Sequence, residues 1–258
     1  MGATLAVALF NFTAQAAMVW SPAPVEQGHG GHDRRAGKPY LLENGEGANL
    51  HLISPKLESK KISATSGRVS VKPMGMDNYH ALVAIRNIDN RHESAIRYVY
   101  MFGKPSKESP SRLMGYEKSA LEIEPAPYAR EHWRYYSSTD AQFIIRFRGE
   151  VIAGAEVTMK TSNGTRSIYT SDAEGLLRIT LPEDFSDVKA GRRANHAAEF
   201  MLTTERRDGA DNYITTLSSG YHVNPNHWQS TELGIAVVAG GMLLGGLIIW
   251  SSRRRKER

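Results

Sequence analysis

An uncharged apolar run occupies residues 233–250, LGIAVVAGGMLLGGLIIW, near the C-terminus. At the rise of an α-helix its length is about 27 Å, close to the hydrocarbon thickness of one bilayer. Four consecutive basic residues follow at 253–256, whereas Glu232 precedes the run. Because cytoplasmic flanks carry the excess of Lys and Arg, we expect one transmembrane helix over 233–250, a juxtamembrane linker over 221–232 and a basic cytoplasmic tail over 251–258.

The predicted helix contains a pair of small residues, Gly241 and Gly245, one turn apart. Such a pair lets a second helix approach closely, so it is a candidate packing face for a membrane partner such as a transporter. Many such pairs have no partner, and the pattern alone leaves this open. A buried core helix is the alternative to a span, but the basic block at its end argues against it.

The net charge of +5 does not indicate a nucleic-acid-binding protein. Residues 253–258 hold five basic residues and one Glu, and the rest of the chain has 27 basic against 26 acidic residues. The excess of basic residues is therefore a topology signal. The chain has no cysteine, which excludes disulfides, thiolate catalysis and Cys-type metal sites.

The N-terminus has the pattern of a secretory leader. An apolar stretch at 3–12 precedes Ala14-Gln15-Ala16, an A-x-A cleavage pattern, so we predict a signal peptide over 1–16. No Lys or Arg precedes Arg34, so a start site upstream and a weak leader both stay open. With the predicted anchor, this places the protein in a bacterial inner membrane, single-pass, with a periplasmic ectodomain and a cytoplasmic C-terminus.

The body between the two ends is predicted to be all-β. Residues 17–48 are rich in Gly, Pro and charge and are interpreted as a flexible arm that contains histidines. Short strand patterns between turn residues predict an N-terminal β domain over 49–118 and a β-sandwich over 119–220. In the second domain, strands are expected at 141–148, 151–160, 165–170, 176–181, 197–204 and 212–218. No helical period is found outside the predicted span.

A resemblance to a known family covers residues 120–185. It rests on ALEIEPAPY, on FIIRFRGEVIAGAEVTMKTSNG with Gly149 and Gly154, and on TSDAEGLLRITLPEDF with Asp172 and Gly175. This stretch resembles the DUF4198 family, whose members include membrane-anchored periplasmic components found with nickel and cobalt uptake transporters. The resemblance implies two immunoglobulin-like β-sandwich domains in tandem. The glycines and the aspartate are also explained by turn geometry alone.

Two pairs of histidines are candidate metal ligands, because imidazole suits nickel, cobalt, copper and zinc. His29 and His32 lie in the predicted arm, and His222 and His227 lie just before the predicted span. A polar linker that happens to contain histidines is the alternative for each pair. No nucleophile elbow, phosphate loop, HExxH or dinucleotide fingerprint occurs, so we do not expect an enzyme.

Two functions remain open at this point. The first is a membrane-anchored accessory protein of nickel or cobalt uptake, which binds or presents the ion or scaffolds a permease. The second is an interaction module of the cell envelope that carries no metal and binds another protein or a carbohydrate. The resemblance favours the first, and the sparse grouping of ligands favours the second.

Overall fold

The computed structural model describes residues 16–24, 37–72, 75–126 and 134–229. These residues form strands joined by short turns, with one short helix and two 3-10 turns. The strands are β1 Val19–Pro22, β2 Lys38–Glu43, β3 Asn49–Ile53, β4 Ser59–Ile62, β5 Arg68–Val71, β6 Met76–Ile88, β7 Arg91–Met101, β8 Lys104–Pro105, β9 Leu121–Pro125, β10 Tyr135–Tyr136, β11 Asp140–Phe147, β12 Glu150–Val151, β13 Glu156–Thr161, β14 Arg166–Thr170, β15 Leu176–Thr180, β16 Ala198–Asp208 and β17 Asp211–His222. The helix is α1 Pro110–Met114, and the 3-10 turns are Arg192–Ala194 and Pro225–His227.

Three sheets are stacked in layers. A central ten-stranded sheet has the order β14-β13-β16-β17-β7-β6-β3-β4, with β10 beside β17 and β8 beside β6. A three-stranded sheet has the order β1-β2-β5, and a four-stranded sheet has β11 paired with β9, β12 and β15. The prediction that the body is mainly β is confirmed.

The three-stranded sheet packs on one face of the central sheet, where it covers mainly β3, β6 and β7. On β2, β3 and β5 the apolar side chains of this first core alternate with more exposed ones, as a half-buried strand requires. They are Met18, Trp20, Tyr40, Leu42, Leu50, Leu52, Val69, Val71, Leu82, Ala84, Ala95, Val99 and Met101.

The four-stranded sheet and α1 pack on the opposite face of the central sheet. Phe143 and Ile145 of β11 meet Phe200 and Leu202 of β16 in this second core. Side chains of β6 and β7 also contribute, among them Val83 and Ile96. The second core therefore extends over strands from both halves of the chain.

The two halves share one sheet because β17 pairs in parallel with β7. Residues 212–218 of β17 lie opposite residues 91–97 of β7. The central sheet thus contains strands from both predicted domains, 49–118 and 119–220, joined edge to edge. Each domain contributes part of this shared sheet to its own sandwich. The sequence patterns predict the strands but do not show this pairing.

Burial on both faces explains the sequence of β6. Ala81 and Val83 belong to the second core, whereas Leu82 and Ala84 belong to the first. A strand covered on both sides has a continuous apolar run in place of strict alternation. The apolar residues 81–85, ALVAI, are such a run.

The prediction of a flexible arm over 17–48 needs correction. Residues 19–22 and 38–43 form β1 and β2, and Trp20 is 1% exposed. The Trp20 indole donates to the carbonyl of Ala95 at 3.1 Å. The sequence does not predict these two strands, because their few apolar residues stand among Gly and Pro and form no alternating run. Residues 25–36, with His29 and His32, lie outside the described residues.

The motif residues of the 120–185 stretch serve backbone geometry. Asp172 accepts the N–H groups of Glu174 and Leu176, which closes the turn before β15. Gly175 has φ +70°, and a Cβ there would lie 2.4 Å from a methyl carbon of Val151. This agrees with the structural explanation of these residues, since only glycine fits such a position without strain.

Among the described residues no helix is long and apolar enough to cross a bilayer. The predicted span 233–250 lies outside that part of the chain. The only α-helix described there, α1, is five residues long, too short to give a helical period in the sequence.

Replacing Trp20 by Ala should test whether β1 belongs to the folded body. Loss of a fully buried indole and its hydrogen bond should lower the free energy of unfolding by about 3–5 kcal/mol. Urea unfolding of the detergent-solubilised full chain, followed by circular dichroism, measures this. Ile168→Ala is the control, since Ile168 is 58% exposed. Equal midpoints for the two variants would contradict the placement of β1.

His80 is a titratable group buried beside the first core. Its side chain is on β6 with no exposed surface, and its Nδ1 lies 3.1 Å from the Asn78 carbonyl oxygen. Its Nε2 has no hydrogen-bond partner among the described residues. Burial lowers the pKa of His80, although the bond to Asn78 acts in the opposite direction.

The unfolded His80 therefore takes up a proton at a higher pH than the folded one. Above the ordinary histidine pKa of about 6.5, His80 does not reduce the free energy of unfolding. As the pH falls below that value, protonation of the unfolded chain lowers the free energy of unfolding. We expect His80→Phe to reduce the loss of stability between neutral and mildly acidic pH in urea titrations. His196→Phe, at an exposed position, should keep the wild-type slope. An unchanged slope in His80→Phe would exclude this residue as the cause.

Candidate functional site

The two ends of the central sheet differ in what they carry. We call the end where β17 finishes at His222 the exit end, because the chain continues from it to residue 229. β7 also finishes there and β6 begins there, since β7 runs parallel to β17 and Asn78 lies opposite Met101. We call the opposite end, with the β6–β7 and β16–β17 turns, the far end.

His222 is the last residue of β17 and is partly exposed. It lies opposite Tyr136 of β10, and the two rings are 6.2 Å apart at an angle of 48°. This parallel bridge fixes the backbone at His222.

His227 ends the 3-10 turn Pro225–His227. The Asn224 side chain caps this turn by accepting the N–H of Asn226. The Nδ1 atom of His227 lies 3.0 Å from Oε1 of Glu183. A neutral ring that donates from Nδ1 to a carboxylate presents the lone pair of Nε2, which is the arrangement of many metal-binding histidines.

Asp184 holds the segment that carries Glu183. It accepts hydrogen bonds from the Tyr221 hydroxyl and, at 2.7 Å, from the Thr161 hydroxyl. Burial raises the pKa of Asp184, but these hydrogen bonds outweigh it, so the pKa lies below the usual value. The Glu183 carboxylate is thereby kept near the end of β17.

The two histidines of the exit end contact different side chains: the ring of His222 lies beside Tyr136, and His227 is paired with Glu183. Within the described ranges there is no group of three or more His, Cys, Asp or Glu that could hold a metal ion. The other predicted ligands, His29 and His32, and the predicted packing residues, Gly241 and Gly245, lie outside those ranges.

The far end contains a polar cavity of about 720 Å³. It lies between the loop after β2 and the turn between β4 and β5. Its volume is in the range of small-ligand sites, although its lining is more polar than is usual for them. Polar side chains around it are Asn44, Glu46, Asn49, Lys61, Ser63 and Arg86.

Arg86 holds one wall of this cavity. Its guanidinium is paired with Glu93 across the β6–β7 hairpin, and both side chains are less than 5% exposed. The same guanidinium donates to the carbonyl oxygens of Asn44, at 2.8 Å, and Glu46, at 3.1 Å. Because a buried charge is costly unless it is paired, this network fixes the loop.

On the other face of the far end, aromatic rings and arginines lie in contact. His92 stacks on Tyr213 with ring centres 4.6 Å apart, and Phe147 meets Tyr213 edge to face at 4.9 Å. The guanidinium carbons of Arg148 and Arg206 each lie 4.7 Å from the centre of the Phe147 ring. These contacts hold three turns of the far end together.

The cavity and the aromatic cluster were not predicted from the sequence. The loop beside the cavity, NGEGA at 44–48, has the composition of a linker, and the sequence prediction places it in the flexible arm. The one available signal was the pair Arg86 and Glu93, which are placed symmetrically about the turn at 89–90. Opposite charges across a hairpin favour a paired site but do not reveal a cavity.

No protein family model matches the chain, and no curated protein matches it. Two solved structures align with most of it. One is titled "Structural insight into host cell surface retention of a 1.5-MDa bacterial ice-binding adhesin", with 11% identity, a TM-score of 0.27, and 81% of this chain but only 65% of that chain covered. The other is the "D0-D1 domain of Intimin", with 14% identity, a TM-score of 0.25, and 78% and 96% covered. Both TM-scores lie below 0.5, so neither structure establishes a shared fold.

Metal titration of the full chain tests the exit-end histidines. If His222 and His227 contribute ligands, nickel or cobalt should bind with micromolar affinity, and His222→Gln with His227→Gln should weaken it at least about tenfold. Calorimetry of the detergent-solubilised chain measures this. His51→Gln with His92→Gln is the matched control at other described positions. Equal losses in both double variants would remove the exit-end histidines from any metal site.

Proposed function

We propose that this chain is a membrane-anchored accessory protein of nickel or cobalt uptake in the bacterial cell envelope, and that it acts as a scaffold for a permease. In this proposal the leader 1–16 is removed, the helix 233–250 is the single anchor, and the ectodomain lies in the periplasm. The ectodomain consists of two immunoglobulin-like sandwiches in tandem, of which 119–220 is the DUF4198-like one. The protein has no catalytic role.

The observation that carries the scaffold proposal is the position of β17. This strand of twelve residues is about 40 Å long, runs from the far end to His222, and pairs with strands of both sandwiches. The predicted anchor begins eleven residues after it. A partner bound by the anchor helix would therefore be connected to the whole body through one paired strand. The resemblance over 120–185 and the pair Gly241 and Gly245 support a membrane partner.

A version in which the protein presents the metal ion has specific support at the exit end. The pairing of His227 with Glu183 orients one imidazole close to the point where the chain continues towards the predicted membrane span. Additional ligands would have to come from His222, from His29 and His32, or from the partner.

The second candidate function is an envelope interaction module without metal. The polar cavity of about 720 Å³ at the far end favours it, because hydroxyl, amide and backbone groups around it suit a polar ligand such as a carbohydrate. In that case the far end, and not the anchor, carries the binding site.

Uptake of radioactive nickel and cobalt by cells that lack the gene distinguishes these functions. The full chain should restore uptake, and Gly241→Leu with Gly245→Leu should abolish the restoration, because the larger side chains separate the helices. Gly240→Leu with Gly246→Leu is the matched control, since it adds the same bulk without filling the small-residue pair.

A scaffold also predicts that His222→Gln with His227→Gln restores uptake as the wild type does, whereas loss of uptake in this variant favours the metal-presenting version. If deletion of the gene leaves uptake of both metals unchanged, the uptake function is wrong and the interaction module remains.

A further inference from the structure

An exposed aromatic side chain lies at the exit end of the central sheet. Phe102 directly follows β7 and is 59% exposed, although its ring also contacts Tyr100 edge to face at 5.4 Å. A single exposed ring is common on protein surfaces, so the charges that accompany Phe102 decide whether this end of the sheet is a binding surface.

Three exposed lysines belong to chain segments at the same end of the sheet as Phe102. Lys104 is two residues further along the chain in β8, which pairs with the start of β6. Lys107 follows in the next loop, and Lys72 comes directly after β5, three residues before Gly75, whose carbonyl accepts the N–H of Lys104 at 2.9 Å. All three lysines are exposed. We call Phe102 and these three lysines the basic patch.

The carboxylates near the basic patch already have partners. Arg112 compensates the charge of Glu108, whereas Asp77 accepts the Tyr100 hydroxyl at 2.5 Å and keeps its charge, so three lysines are set against this one carboxylate. In the part of the chain that the structure describes, no salt bridge joins a carboxylate to Lys72, Lys104 or Lys107. The patch therefore has an excess of positive charge that extends over roughly one Debye length, about 8 Å at physiological ionic strength.

The position of the patch relative to the chain end suggests what covers it. Residue 229 belongs to the exit end, and the proposed span begins four residues later, at 233. Four residues of fully extended chain reach at most about 14 Å. An exit end this close to a bilayer faces the headgroup layer. Trp228, next to residue 229, is of the type enriched at that layer.

We propose that the basic patch lies on the membrane surface and binds anionic phospholipid headgroups, with Phe102 inserted among them. This rests on the proposed anchor. Exposed lysines attract an anionic surface and an aromatic ring enters the interface, which is the combination that peripheral membrane surfaces use. The anchor then fixes the position of the body, and the patch fixes its tilt.

The absence of cysteine makes a direct experiment possible, because a single introduced cysteine gives a unique label. Full chains with Lys72→Cys at the exit end or Ile88→Cys at the far end carry a fluorophore and are reconstituted into phosphatidylcholine vesicles with or without phosphatidylglycerol. A nitroxide on the lipid headgroup quenches nearby label. Ile88 is 52% exposed and is the matched control.

The proposal predicts that phosphatidylglycerol raises quenching at position 72 at least about twofold, and that Lys104→Gln with Lys107→Gln removes this increase. Quenching at position 88 should stay low in every case. Two results would overturn the proposal and favour a protein partner for the patch. One is equal quenching at positions 72 and 88, and the other is quenching at position 72 that does not change when Lys104 and Lys107 are replaced.

Flotation of the vesicles after alkaline extraction separates the anchor from the patch. A chain that floats but shows no charge-dependent quenching has the anchor without the lipid-binding patch. A chain that is extracted lacks the anchor, and its quenching in the presence of anionic vesicles still decides whether the patch binds them.

Discussion

The parallel pairing of β17 with β7 is the interaction on which the rest of the structure depends. It joins two sets of antiparallel strands into one sheet, and each face of that sheet then carries a core. Without it, β7 and β17 would each be an exposed edge, and long unpaired edges promote aggregation. In the joined sheet the outer edges are short strands, and one of them, β4, carries two exposed lysines that discourage further pairing.

This arrangement also explains which parts of the fold the sequence could predict. The strands of 141–218 are visible because apolar residues alternate between turn residues, and Asp172 with Gly175 marks a turn whose geometry the structure shows. Alternation is a local property, so it identifies strands and their exposed faces. It carries no information on which strands become neighbours across a hundred residues.

The segment 17–48, predicted as a flexible arm, also shows that local patterns cannot reveal tertiary contacts. Trp20 and Tyr40 are single large apolar residues within sequence that is otherwise polar or rich in Gly and Pro, and strands of four to six residues give too few repeats to establish a period. Their burial results from a surface that β3, β6 and β7 provide elsewhere in the chain. The candidate sites depend likewise on tertiary contacts, since neither the cavity beside Arg86 nor the pairing of His227 with Glu183 follows from spacing.

The first strand is held by the last one. The Thr216 hydroxyl donates to the Met18 carbonyl and the Ser218 hydroxyl to the Trp20 carbonyl, each across 198 residues of sequence. Contacts of such separation close a long loop and form late in folding. In the topology proposed above, a chain exported from its N-terminus would thus hold its first strand without its final partners until almost the whole ectodomain had crossed the membrane. Completion of the fold would then coincide with arrival of the proposed anchor, and an incompletely translocated chain would still lack the contacts that hold its first strand.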